Sequence, residues 1–140
     1  MADRMIDLRA HDSGWILDGL PSEVVAIRFQ WQVEFQFGDP ERWCFLQLEG
    51  PFTVNAPDGS SVLSDPGGDP TSLACVLPLL RRNVVAVEVD PGETLTVSFD
   101  DGRVITCRPL AAFEAWTLSA GADGFFLACT PGAGARSDSS

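Results

Sequence analysis

Residues Gln30 to Phe37 alternate without a break. Trp31, Val33, Phe35 and Phe37 share one face, and Gln30, Gln32, Glu34 and Gln36 share the other. A period of two over that length predicts a strand with one buried and one wet face. Gly38-Asp39-Pro40 ends it, and alternation resumes from Trp43 to Glu49. There Cys44, Leu46 and Leu48 face one way, with Trp43, Phe45, Gln47 and Glu49 the other way. Both faces of that second strand are apolar at its start. Either a second layer covers it, or Trp43 and Phe45 show an exposed patch.

The same grammar runs along the rest of the chain. Trp15-Ile16-Leu17 reads as a short strand ended by Asp18-Gly19, and Val24 to Phe29 as another. Phe52-Thr53-Val54 and Ser61-Val62-Leu63 flank an Ala56-Pro57-Asp58-Gly59 turn. From Val84 to Pro109 come three strands joined by two turns, with Val85, Val87 and Val89 on one face, and Leu95, Val97 and Phe99 facing inward. The last hairpin has two candidate registers. A two-residue Asp101-Gly102 loop would turn Ile105 and Cys107 outward. A three-residue Asp100-Asp101-Gly102 loop, with Gly102 left-handed, sets Val97 opposite Ile105 and Leu95 opposite Cys107. The second buries more apolar surface and is the predicted one. Phe113 to Leu118, a turn at Gly121 to Gly124, and Phe125 to Cys129 complete the strands.

One helix interrupts this series. Asp69 is a suitable N-cap and Pro70 a suitable first helical residue. Leu73, Val76, Leu77 and Leu80 follow at the spacing of an α-helical stripe, with Pro78 as a local conflict. Val24-Val25-Ala26-Ile27 also matches Val84-Val85-Ala86-Val87. The predicted fold is therefore α+β and mainly antiparallel: two repeated β-meander units, about 15–63 and 84–130, forming a curved sheet or partly open barrel. The helix, about 70–82, lies between the repeats. Residues 1–13 are expected to be a flexible arm, 14–130 a single β-rich domain, and 131–140 a disordered tail.

Several of these signals occur in a recognisable order. Glu49-Gly50-Pro51-Phe52, Pro57-Asp58-Gly59, Asp69-Pro70, Phe99-Asp100-Asp101-Gly102 and Glu114-Ala115-Trp116 follow one another along the chain. In that order and spacing they resemble a family of small actinobacterial proteins classed as a domain of unknown function. The resemblance covers about residues 15 to 132 and implies an organisation, not an activity.

Composition narrows the partners. The 140 residues carry a formal net charge of −11, and the nine basic residues are arginines scattered along the chain. Nucleic acid recognition needs clustered cations, so no nucleic acid partner is expected. No apolar run is long enough for a membrane span, and the N-terminal stretch lacks an apolar targeting segment, so the expected compartment is the cytosol, with no membrane partner. Cys44, Cys75, Cys107 and Cys129 are dispersed and accompanied by one histidine, His11, which is no zinc pattern. They are expected as small buried hydrophobes.

Candidate chemistry is sparse. A Cys–His or Ser–His dyad needs His11 brought over the sheet from its arm. The acidic pairs Asp65/Asp69, Asp90/Glu93 and Asp100/Asp101 all lie in turns, where Asp is favoured for local backbone bonding. No cofactor loop or calcium pattern is present, and no cofactor, metal or catalytic residue is assigned. The strand aromatics Trp31, Phe35, Phe37, Trp43, Phe45, Trp116, Phe125 and Phe126 are mostly expected in the core. Trp43 and Phe45 have the best claim to an interaction face. The leading expectation is a non-catalytic binding protein working through a protein partner, immunity-like or regulatory, with self-association as a further possibility. The alternatives are a small-molecule carrier with an apolar cavity lined by Trp31, Phe35, Val97 and Phe99, or an enzyme using Glu34, Glu49 or Glu88 inside a barrel.

Overall fold

The computed structural model describes residues 5–120 and 124–131. Most of the expected tail, and part of the expected turn at 121–124, lie outside the described residues. In chain order the strands are β1 (Asp7–His11), β2 (Gly14–Asp18), β3 (Ser22–Glu23), β4 (Ala26–Phe29), β5 (Val33–Asp39), β6 (Arg42–Leu48), β7 (Phe52–Asn55) and β8 (Ser61–Ser64). A 3₁₀ helix (Pro70–Leu79) follows, then β9 (Asn83–Val89), β10 (Leu95–Phe99), β11 (Val104–Cys107), β12 (Trp116–Ala120) and β13 (Phe126–Ala128).

These strands form two antiparallel sheets. The larger has the order β1-β2-β9-β10-β11-β7-β8, with β3 also on β9; the smaller has the order β13-β12-β6-β5-β4. Their inward faces share one core. Phe35 of the small sheet and Phe99 of the large one meet inside it with ring centroids 6.4 Å apart. The expected single curved sheet or partly open barrel is thus replaced by two separate sheets. Each must bury one apolar face, and facing each other they do so without closing.

The β10–β11 hairpin has the three-residue loop: Leu95 lies opposite Cys107 and Val97 opposite Ile105. Gly102, at φ 91°, donates its N–H to the Phe99 carbonyl. In β9 the inward series is Val84, Val87 and Val89 rather than the expected Val85, Val87 and Val89. A bulge is the reason. Phe99 pairs with Val84 and Ser98 with Ala86, so Val85 is the extra residue and turns out to solvent.

Three further expectations change. The helix is 3₁₀, not α, and buries Leu73, Val76 and Leu79 while leaving Leu77 58% exposed. A repeat of three fits those positions, and a 3₁₀ segment has no i−4 bond for Pro78 to break. Residues 7–11, expected within a flexible arm, form β1. Asp12 and Ser13, both at positive φ, make a tight two-residue turn onto β2, and Arg9 Nε donates to Asp18 Oδ2 at 2.9 Å. Ile6 is buried and its carbonyl accepts from Arg42. Finally, Trp31 is not in the core. Phe29 pairs with Val33, so Gln30-Trp31-Gln32 is the turn between β4 and β5, and Trp31 stands 89% exposed at its tip.

Candidate functional site

The outward face of the small sheet carries the residues singled out from sequence. On β6, Cys44, Leu46 and Leu48 are buried inward, so Trp43, Phe45 and Gln47 face out and are half-buried. Register places Phe45 between Gln36 of β5 and Ser119 of β12. Beyond Ser119, on edge strand β13, stands Phe126, 69% exposed. Trp43 lies opposite Gly38, at φ 103°, where an added Cβ would sit 2.5 Å from the Arg42 carbonyl oxygen. Trp43 therefore has no cross-strand side chain on that side. The 3₁₀ helix packs on β8 of the other sheet.

Beside the aromatics runs a polar ladder. Arg28 donates to Glu34 Oε2 at 2.8 Å and to Gln36 Oε1 at 2.7 Å, and Gln47 donates to Glu34 Oε1 at 2.9 Å. These bonds tie β4, β5 and β6 and leave the buried Gln36 amide oxygen satisfied. The polar half of the face is internally matched, and burying it against a partner strands little.

The other candidate residues do not converge. Glu34 belongs to the ladder, while Glu49 is exposed just past the end of β6 and Glu88 is exposed on β9 of the other sheet. The four residues named for the alternative apolar cavity do not all come together: Phe35, Val97 and Phe99 are buried, and Trp31 is outside. His11 Nε2 lies 3.2 Å from Asp12 Oδ2 of its own turn. Cys44, Cys107 and Cys129 are buried, free thiols. Burial pushes the Cys44 thiol up to about 12, against a smaller opposing pull from Arg42 and the Phe45 N–H. Burial likewise pushes Cys107 up to about 12 and Cys129 up to about 11. Such thiols stay protonated at neutral pH and are not poised as nucleophiles. Among the described residues, no cluster of three or more His, Cys, Asp or Glu side chains is placed to hold a metal ion.

A feature that sequence reasoning did not find is a cavity of about 570 Å³ at one open edge of the sandwich. The β1–β2 and β9–β10 turns meet β12 and β13 there, and its wall includes Trp15, Asp90, Glu93, Trp116, Phe126 and Thr130. Glu93 organises it. Its carbonyl accepts the Trp116 indole N–H at 2.9 Å, and its Oε1 accepts the Thr130 N–H at 2.7 Å. Glu93 is left-handed, at φ 66°, in a turn with the bonding of the β10–β11 turn, whose matching residue is Gly102. A side chain in that conformation costs about 1 kcal/mol that glycine avoids. The wall residues come from separated segments, so no local pattern announces the cavity.

Fold and surface together define a mostly antiparallel, two-sheet β protein whose smaller sheet carries half-buried Trp43 and Phe45 and exposed Phe126 on its outward face. The chain belongs to a family of unknown function (DUF6188), whose model matches residues 16–137. No curated protein and no solved structure matches it. No described helix is long and apolar enough to cross a membrane.

Proposed function

We propose that this is a non-catalytic binding protein that docks a protein partner on the outward face of the small sheet. The observation that carries the reading is the row Trp43, Phe45 and Phe126 on that face. Aromatic side chains with a matched polar border are the composition of interface cores. Trp31, at the tip of a hairpin of the same sheet, extends the contact surface. The net charge of −11 favours a basic partner and speeds its approach. The raised thiols and the dispersed carboxylates support the non-catalytic reading. The two units, 15–63 and 84–130, read as a duplicated scaffold, since each supplies strands to both sheets.

The test is a pull-down from the native host with the intact chain and two fold-sparing variants, Trp31→Ala and Phe126→Asp. The expected result is one stoichiometric protein retained by the parent chain and lost from both variants. Recovery of nothing stoichiometric, or equal recovery by all three chains, contradicts the reading. Light scattering on the isolated protein separates a second copy of this chain from a foreign partner.

A further inference from the structure

We propose that the cavity at the open edge of the sandwich binds a small organic ammonium ion, its charged head at Glu93 and Asp90 and its apolar body on the aromatic wall. This site adjoins the outward face of the small sheet and shares Phe126 with it, but Trp31, Trp43 and Phe45 do not line it. The volume, about 570 Å³, lies in the range of small-molecule sites. The chemistry of the wall selects the charge. Two carboxylates and the aromatic residues Trp15, Trp116 and Phe126 line it, and no arginine does. Carboxylates and ring faces both attract a cation, and both repel an anion. The protein uses only part of what Glu93 and Asp90 offer. Glu93 Oε1 is held by Thr130, and Asp90 Oδ1 accepts the Thr94 N–H at 2.9 Å. The second oxygen of Asp90 has no hydrogen-bond donor among the described residues, and the Glu93 carboxylate has only the weakly donating Cys129 thiol beside it. Trp116 is almost fully buried and its N–H is already given to the Glu93 carbonyl, so that indole offers the cavity no free donor.

Glu93 also occupies a position that favours glycine. The sibling turn resolves the same geometry with Gly102. A left-handed glutamate held in a cavity wall is the kind of stored strain that gathers at ligand sites. Its structural duty, accepting from Thr130, needs only a neutral acceptor. Glutamine supplies that acceptor, so charge and scaffold can be separated by substitution.

The chain has four tryptophans, two on the cavity wall (Trp15 and Trp116) and two elsewhere (Trp31 and Trp43). Their indole N–H signals in a ¹⁵N-labelled full chain give a reporter pair and a control pair. The probes are phenethylammonium, its uncharged counterpart 2-phenylethanol, and 3-phenylpropionate. Phenethylammonium is expected to shift Trp15 and Trp116 alone and to bind about tenfold more tightly than the alcohol, with the acid weaker still. Glu93→Gln and Asp90→Asn are each expected to keep the parent's thermal midpoint while shrinking that tenfold preference. A fourth probe, Nα-acetyl-lysine methylamide, tests whether the ammonium comes from a peptide. If it binds more tightly than phenethylammonium, the free amine is overturned. Equal affinity for alcohol and cation, unchanged preference in both variants, shifts at all four indoles alike, or no shift at millimolar concentration overturns the site itself.

Discussion

Replacing Phe35 and Phe99 with leucine, singly and together, tests whether the two sheets meet where their rings do. Both side chains are almost fully buried, and their centroids lie 6.4 Å apart with planes inclined at 47°. Each replacement removes roughly three carbons at about 0.8 kcal/mol apiece, or about 2 kcal/mol. Tilted aromatic pairs contribute about 0.5–1.5 kcal/mol beyond area burial. That term is lost with the first substitution and cannot be lost again. Each single variant should therefore cost about 2.5–3.5 kcal/mol and the double about 4.5–5.5 kcal/mol, less than the sum of the singles. Urea unfolding followed by tryptophan fluorescence reads this, with an unchanged m-value as the check that the unfolded reference is the same. Additivity within about 0.4 kcal/mol would mean that the rings do not touch. Single effects below about 0.5 kcal/mol would mean that they are not core, and the face-to-face packing would be refuted.

Two further outcomes bear on the scaffold. Leu79→Ala should cost about 2–4 kcal/mol in urea unfolding, whereas Leu77→Ala should stay within about 0.5 kcal/mol; the reverse order would indicate an α-helical stripe. The buried thiols make stability depend on alkaline pH. Cys44 and Cys107 ionise near 12 in the folded chain, against a usual value of 9.0. The folded state thus holds protons that the unfolded state releases. Their contribution is fully present below pH 9 and is lost as pH rises toward 12, by up to about 1.4 kcal/mol per pH unit for each thiol. Urea midpoints at pH 8 and pH 10 should show this fall, and Cys44→Ala should reduce it; equal slopes for parent and variant would contradict the burial argument.

What the chain announces locally, it announces well. The three-residue turn at Asp100 to Gly102 follows from which register buries Ile105 and Cys107, because a one-residue slip would expose both. The inward faces of β5 and β6 follow from alternation in the same way. Trp31 shows how that signal misleads. A three-residue turn preserves the odd–even pattern, so Gln30-Trp31-Gln32 continues the alternation of β5 although the chain has reversed. No Gly, Pro, Asn or Asp marks the reversal. The helix was legible in place but not in pitch, since Leu residues at 73, 77, 79 and 80 satisfy either period and Pro78 decides between them only by what it forbids. β1 is short and polar, and backbone pairing with the Asp12-Ser13 turn holds it rather than an apolar face. For the candidate sites, Trp43 and Phe45 could be found because one strand carries the whole pattern. The cavity could not, because Trp15, Glu93, Trp116 and Thr130 meet only when the two sheets have folded.

The most direct measurement of the docking surface places a photo-crosslinking phenylalanine analogue at position 126 in one chain and at position 63 in another, and irradiates the native host. Phe126 and Leu63 are almost equally exposed, at 69% and 65%, but they stand on different sheets. A single discrete adduct from position 126, with none from position 63, is the result that a partner on the small sheet predicts. An adduct from position 63 alone, or none from either, would contradict it.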